Sequence, residues 1–137
     1  MSPAPLIFFL ASLLTLGIAA PATAQPAVAC DQGSNMQMRG CNDAAIRAAD
    51  AQLNETWRLV LHQVDTAEGL SAADRTAWRN ALRDAQRAWI AFRDADCGAP
   101  IQYQYNGGTG GPLASLACIL DRTRHRTREL TDLYLRP

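Results

Sequence analysis

The chain has 137 residues, enough for one domain, and its thirteen basic and thirteen acidic residues leave no net charge. Every basic residue is Arg, and the neutral balance argues against a nucleic-acid partner. Four cysteines, an even count, point to crosslinking as soon as the chain is read as exported.

That reading comes from the N-terminus. Leu6 to Ile18 is an unbroken run of thirteen apolar and small residues, too short to span a bilayer and of the length of a signal-peptide core. Ala22-Thr23-Ala24 follows as an A-x-A cleavage site, which predicts a signal peptide over 1–24 and a mature domain over 25–137 starting at Gln25. The product is expected to be extracytoplasmic, periplasmic or secreted, with no membrane span. Ala27-Val28-Ala29-Cys30 has the look of a lipoprotein box with Cys30 as the lipidated residue. It lacks the usual Leu, lies well past the apolar run, and would strand an odd thiol, so a soluble product is expected.

Cys30 to Cys41 reads as a polar loop with Gly33 and Gly40 inside it and a cysteine at each end. Asn42 is suited to cap the following helix, predicted over 43–67, in which Ile46, Ala49, Leu53, Trp57, Val60 and Val64 form one apolar stripe. Gly69 ends this segment. Ser71-Ala72-Ala73-Asp74 resembles a capping box and opens a second helix over 71–97. The short connection makes the first two helices an antiparallel hairpin. In the second helix Trp78, Leu82, Ala85, Trp89 and Phe92 recur at steps of four and three and are expected to face the core. Gly98 to Gly111 breaks the pattern with one Pro and five Gly. Pro112 suits the first turn of a third helix over 112–135, with Leu113, Leu116, Leu120, Thr123, Thr127, Leu130 and Tyr134 on one face. The two Thr of that stripe can bond back to carbonyls one turn earlier. The fold class is therefore all-α: a three-helix bundle with all four cysteines near one end.

The cysteines lack the Cys-x-x-Cys spacing of a zinc site, and His62 and His125 have no second ligand at metal spacing, so neither metal nor cofactor is expected. Of the three connectivities that four cysteines allow, Cys30–Cys41 with Cys97–Cys118 closes two loops of sensible length, each worth about 3 kcal/mol in the chain-entropy model. No nucleophile–base pair is visible, so an enzyme is not expected. Arg122, Arg124, Arg126 and Arg128 fall on different faces of a helix and read as a solvated mixed surface.

Several of these residues together carry a resemblance. Cys30 and Cys41 around a polar loop, Ala49-Asp50 with Leu53-Asn54, AQRAWIAFRDADC at 85–97, Gly107-Gly108, and Cys118 followed by Thr123, Arg126-Thr127 and Glu129-Leu130 resemble the LprI-like lysozyme inhibitor family of exported bacterial proteins. Arg122 departs from that pattern, which would place an apolar residue before the Thr. The resemblance implies an extracytoplasmic, mostly helical domain associated with inhibition of lysozyme, and lysozyme as protein partner.

Asp50 and Arg93 lie at similar height in the predicted hairpin and read as a structural clamp, with Gln86 and Asn54 as further interhelical hydrogen bonds. Asp94 and Asp96 sit in a last helical turn, where the helix dipole disfavours negative charge, and so are candidates for contact with a partner. The alternative for both is pairing with Arg93 or with an Arg of the third helix. Gly107 to Gly111 lacks the Lys-Ser/Thr ending and the preceding strand of a phosphate loop. Beside Tyr103, Tyr105 and Asn106 it has the chemistry of a binding loop, rigid aromatics among small polar residues, and reads equally as a connector. Two functions follow: a lysozyme inhibitor using Tyr103, Tyr105, Asn106, Asp94 and Asp96, or an envelope structural or interaction module with a different partner.

Overall fold

The computed structural model describes residues 30–136. The signal peptide predicted over 1–24, its cleavage site and the residues preceding Cys30 lie outside them. Three long helices and one single-turn helix make up the described chain, with no strand among its residues: α1 (Asn35–Asp65), α2 (Ala72–Asp96), α3 (Ala99–Tyr103) and α4 (Gly110–Tyr134). The bundle and both predicted disulfides are present, Cys30–Cys41 and Cys97–Cys118, each with Cα atoms 5.5 Å apart.

The first helix begins eight residues before the predicted Asp43. Ser34 is its cap: the Ser34 hydroxyl accepts the Gln37 N–H at 3.4 Å, and the Gln37 side-chain oxygen accepts the Ser34 N–H at 2.9 Å. This reciprocal pair satisfies two N–H groups that the helix start leaves free. Most of the segment between Cys30 and Cys41 is thus helix. Asn42, expected as the cap, is buried in the second turn, and its amide donates to the Met38 carbonyl at 2.9 Å. Gly69, at φ +76°, lies in the turn after α1. Ser71 caps α2 as expected, accepting the Asp74 N–H at 3.1 Å. Arg75 donates to the Leu70 and Ala67 carbonyls at 2.6 and 3.3 Å, and Arg79 pairs with Asp65, so the hairpin turn is tied from both sides.

Asn42 adjoins Leu113 and Leu120, whereas Val60 and Val64 adjoin Leu133 and Tyr134. α1 and α4 therefore run in the same direction, with α2 antiparallel to both, and the α1–α4 seam is the most extensive in the molecule. The core is Leu53, Val60, Val64, Leu82 and Leu130, with Trp57, Trp78, Trp89, Tyr134 and Leu135 packed around it. The predicted stripes of α1 and α4 face inward. Thr123 and Thr127 donate to the Ile119 and Thr123 carbonyls at 2.8 and 3.0 Å, and Thr131 extends the ladder to Thr127 at 2.9 Å.

The inward face of α2 differs from the predicted one. Leu82 is buried and Trp78 and Trp89 are half-buried, but Ala85 is exposed and Phe92 is 53% exposed. Gln86 and Arg93 take the inward positions instead, because both find polar partners on α4 and Arg93 a further one on α1. Leu130→Ala should therefore cost about 2–5 kcal/mol, whereas Phe92→Ala should cost under about 1 kcal/mol. Urea denaturation of the oxidised protein measures both; comparable losses would contradict the rotated face.

Candidate functional site

The end of the bundle that carries the disulfides is held by one polar layer. Arg93, whose side chain is only 15% exposed, places Nη1 3.1 Å from the Thr123 hydroxyl and 3.4 Å from Asp50 Oδ1, and its Nε donates to Asp94 at 2.9 Å. Arg126 donates to Gln86 Oε1 at 3.1 Å and to Glu129 at 2.8 Å. The two guanidinium groups lie 5.3 and 5.8 Å from the ring of Trp89. So the Gln, Trp and Arg of the 85–97 motif act together across helices. Asp50 and Arg93 are brought together; Asn54 is exposed on α1. Arg126, expected on a solvated mixed surface, is instead turned inward as the far end of this layer, because Gln86 and Trp89 of α2 receive it.

Asp94 and Asp96 are not free acids. Asp94 pairs with Arg93, and Asp96 accepts from Arg122 Nη2 at 2.8 Å. Arg122 also lies 5.7 Å from the ring of Phe92. α2 thus presents an aromatic face and a carboxylate to the Arg122 charge. Asp96 lies near the sulfurs of Cys97 and Cys118, but those sulfurs are bonded to each other and the carboxylate is engaged by Arg122, so the group does not make a metal site. On α1, the hydrogen bond from Arg58 holds the Glu55 carboxyl below its usual value and raises Arg58 in turn.

Beyond Cys97 the chain forms a cap of consecutive turns. Gln102, Gln104, Tyr105 and Asn106 each donate a backbone N–H to a carbonyl three or four residues earlier, at 3.1 to 3.3 Å. Gly108 closes the tip by donating to the Tyr105 carbonyl at 2.8 Å. The two central residues, Asn106 at φ +48° and Gly107 at φ +75°, are both left-handed, as a type I′ turn requires. Asn and Gly are the residues that tolerate this conformation. Tyr103, 80% exposed, and Tyr105, 47% exposed, immediately precede that tip. The next glycines serve close approach. A Cβ on Gly110 would lie 2.8 Å from the Tyr105 ring, and one on Gly111 would lie 3.3 Å from the Gln102 backbone. The cap is thus tied to α4 by packing as well as by the Cys97–Cys118 bond, and residues 98–111 contain no charged side chain.

Tyr105 also forms part of the rim of a groove of about 420 Å³ between the start of α1 and the first turns of α4. Leu113, Ala117 and Leu120 give it an apolar wall, and Asp31, Asp121 and Arg124 add charge. Sequence reasoning missed this groove because it joins residues ninety positions apart.

The family described as "Lysozyme inhibitor LprI" matches residues 28–130, and the chain belongs to it. It is 39% identical over 125 residues to the uncharacterized protein R02472 of Rhizobium meliloti (strain 1021), covering 88% of this chain and 89% of that one. It is 28% identical over 102 residues to the uncharacterized protein YecT of Escherichia coli (strain K12), covering 71% of this chain and 62% of that one. No solved structure matches it.

The geometry assigns unequal roles to the two members of the Asp50–Arg93 pair. Asp50 is 44% exposed and the separation is 3.4 Å, so a double-mutant cycle should give a coupling of only about 0.5–1 kcal/mol. Arg93→Ala should cost more, about 2–3 kcal/mol, because it also strips the buried Thr123 hydroxyl and the Trp89 ring of a partner. Equal single-mutant losses in thermal or urea melts would contradict this division.

Proposed function

We propose that the protein is an exported lysozyme inhibitor that covers the enzyme's cleft with the cap at residues 98–111. Family membership supports the target, and the cap's geometry supports the site. The observation that carries the reading is the Asn106–Gly107 turn, held by hydrogen bonds and preceded by exposed Tyr103 and Tyr105. A loop already ordered before binding loses little conformational freedom on docking. Its tyrosines offer flat faces and hydroxyls like those a sugar-binding cleft accepts, and Asn106 offers an amide. The absence of charge matters as well. A lysozyme cleft holds two carboxylic acids, which an acidic plug would meet with repulsion and a neutral, donor-bearing one would not. Asp94 and Asp96 border this surface at its base, where Arg93 and Arg122 offset their charges.

Two disulfides suit an oxidising compartment outside the cytoplasm. Removal of residues 1–24 would release a soluble chain beginning at Gln25. The Cys30–Cys41 bond supports this form over a lipid-anchored one, because a thioether-linked lipid would need the same sulfur.

Purified oxidised protein should inhibit cell-wall lysis by at least one lysozyme type. Tyr103→Ala with Tyr105→Ala should weaken inhibition at least tenfold, on the order of a single interfacial hot spot, with helical content unchanged and melting lowered only slightly by the lost Tyr105–Gly110 contact. Inhibition by the wild type together with full activity of the double variant would move the site elsewhere. No effect on any lysozyme type would leave an envelope interaction module with another partner as the function.

A further inference from the structure

Most acidic side chains of the bundle are already occupied: Asp50, Glu55, Asp65, Asp84, Asp94, Asp96, Glu129 and Asp132 each pair with an Arg. Asp31 and Asp121 have no ion-pair or hydrogen-bond partner among the described residues, and both border the groove beside the cap. Arg124, one turn along α4 from Asp121, is likewise unpaired, so the groove holds two carboxylates to one guanidinium. Its wall at Leu113 and Leu120 is apolar, and the Tyr105 ring stands at its rim.

We propose that this groove is a second contact point of the inhibitor and seats a basic side chain, Lys or Arg, of a cationic lysozyme. The proposal rests on the inhibitor reading above. A long basic side chain is apolar along its stem and charged at its tip. The groove matches both parts, offering leucines for the stem, carboxylates for the head, and an aromatic face for a cation. Its volume of about 420 Å³, open to solvent, leaves room for one long side chain laid along it. The arrangement also resolves an electrostatic difficulty. The cap carries no charge and the acids at its base are offset, so neither attracts a cationic enzyme strongly. Asp31 and Asp121 supply unspent negative charge in a groove that shares Tyr105 with the cap. Arg124 opposes them, which makes the sign of its own effect diagnostic.

Association with and dissociation from an immobilised cationic lysozyme would be measured at low and high salt for the full oxidised protein. Asp31→Asn with Asp121→Asn should weaken binding about tenfold at low salt, chiefly by slowing association, and the difference should shrink as salt rises. Arg124→Gln should strengthen binding. Asp84→Asn, on an exposed α2 pair with Arg87, should bind as the wild type does. All four residues are at the surface or partly so, and melting curves would confirm that the variants fold. Wild-type affinity in the double Asp variant, or weakened binding in Arg124→Gln, would overturn the groove while leaving the cap reading intact. If the wild type binds no lysozyme, both readings fall together.

Discussion

The packing of Arg93 and Arg126 against Trp89 is the constraint on which the disulfide-bonded end of the molecule depends. α1 and α4 share the most extensive seam in the molecule, largely apolar. α2 meets them along a narrower face, and two of its inward residues, Gln86 and Arg93, are polar. A guanidinium withdrawn from water is costly unless its donors are met. Here Thr123, Asp50 and Asp94 meet those of Arg93, and Gln86 and Glu129 meet those of Arg126. The geometry that satisfies them admits one rotation of α2. That rotation turns Phe92 outward, where Arg122 and Asp96 complete a smaller version of the same arrangement.

The consequence reaches the cap. Once α2 is locked in rotation, Cys97 faces α4 and its bond to Cys118 closes, with Cys97 only 1% exposed. The segment between them then has both ends fixed over a span of twenty-one positions. Between Gly98 and Gly108 the backbone largely satisfies itself by successive turns, and Tyr103 with part of Tyr105 faces outward. Rigid backbone with exposed aromatics is a costly arrangement for a mere connector, which has no need to present tyrosines to solvent. It is a favourable one for a surface that must bind without reordering.

Electrostatics divides the surface in a way that the overall neutrality conceals. Thirteen acids and thirteen bases cancel in total, yet most of the acids cancel locally, each beside its own Arg. Among the described acids without an Arg partner, Asp31 and Asp121 lie in the groove next to Tyr105, not at the base of the cap where the sequence placed the candidate acids. Coulomb attraction toward a partner arises from the unpaired remainder, since a close pair looks neutral beyond about a Debye length.

Much of this was legible in the chain itself. The stripes Ala49, Leu53, Val60, Val64 and Leu120, Thr123, Leu130 determine two inward helix faces, because apolar residues at steps of three and four have one way to be buried together. Ser71 determines the start of α2, and the motif around Trp89 determines the family. Three things were decided only by the tertiary structure. The rotation of α2 placed Phe92 outside, since hydrophobicity favoured that stripe until Gln86 and Arg93 had partners on other helices. The early start of α1 at Ser34 was hidden by Gly33 and Gly40, whose loop signal gives way to a reciprocal cap and the Cys30–Cys41 bond. The pairing of Asp94 and Asp96, and with it the charge left over at Asp31 and Asp121, depends on which side chains the packed helices bring within reach, a property of distance in space that spacing along the chain does not contain.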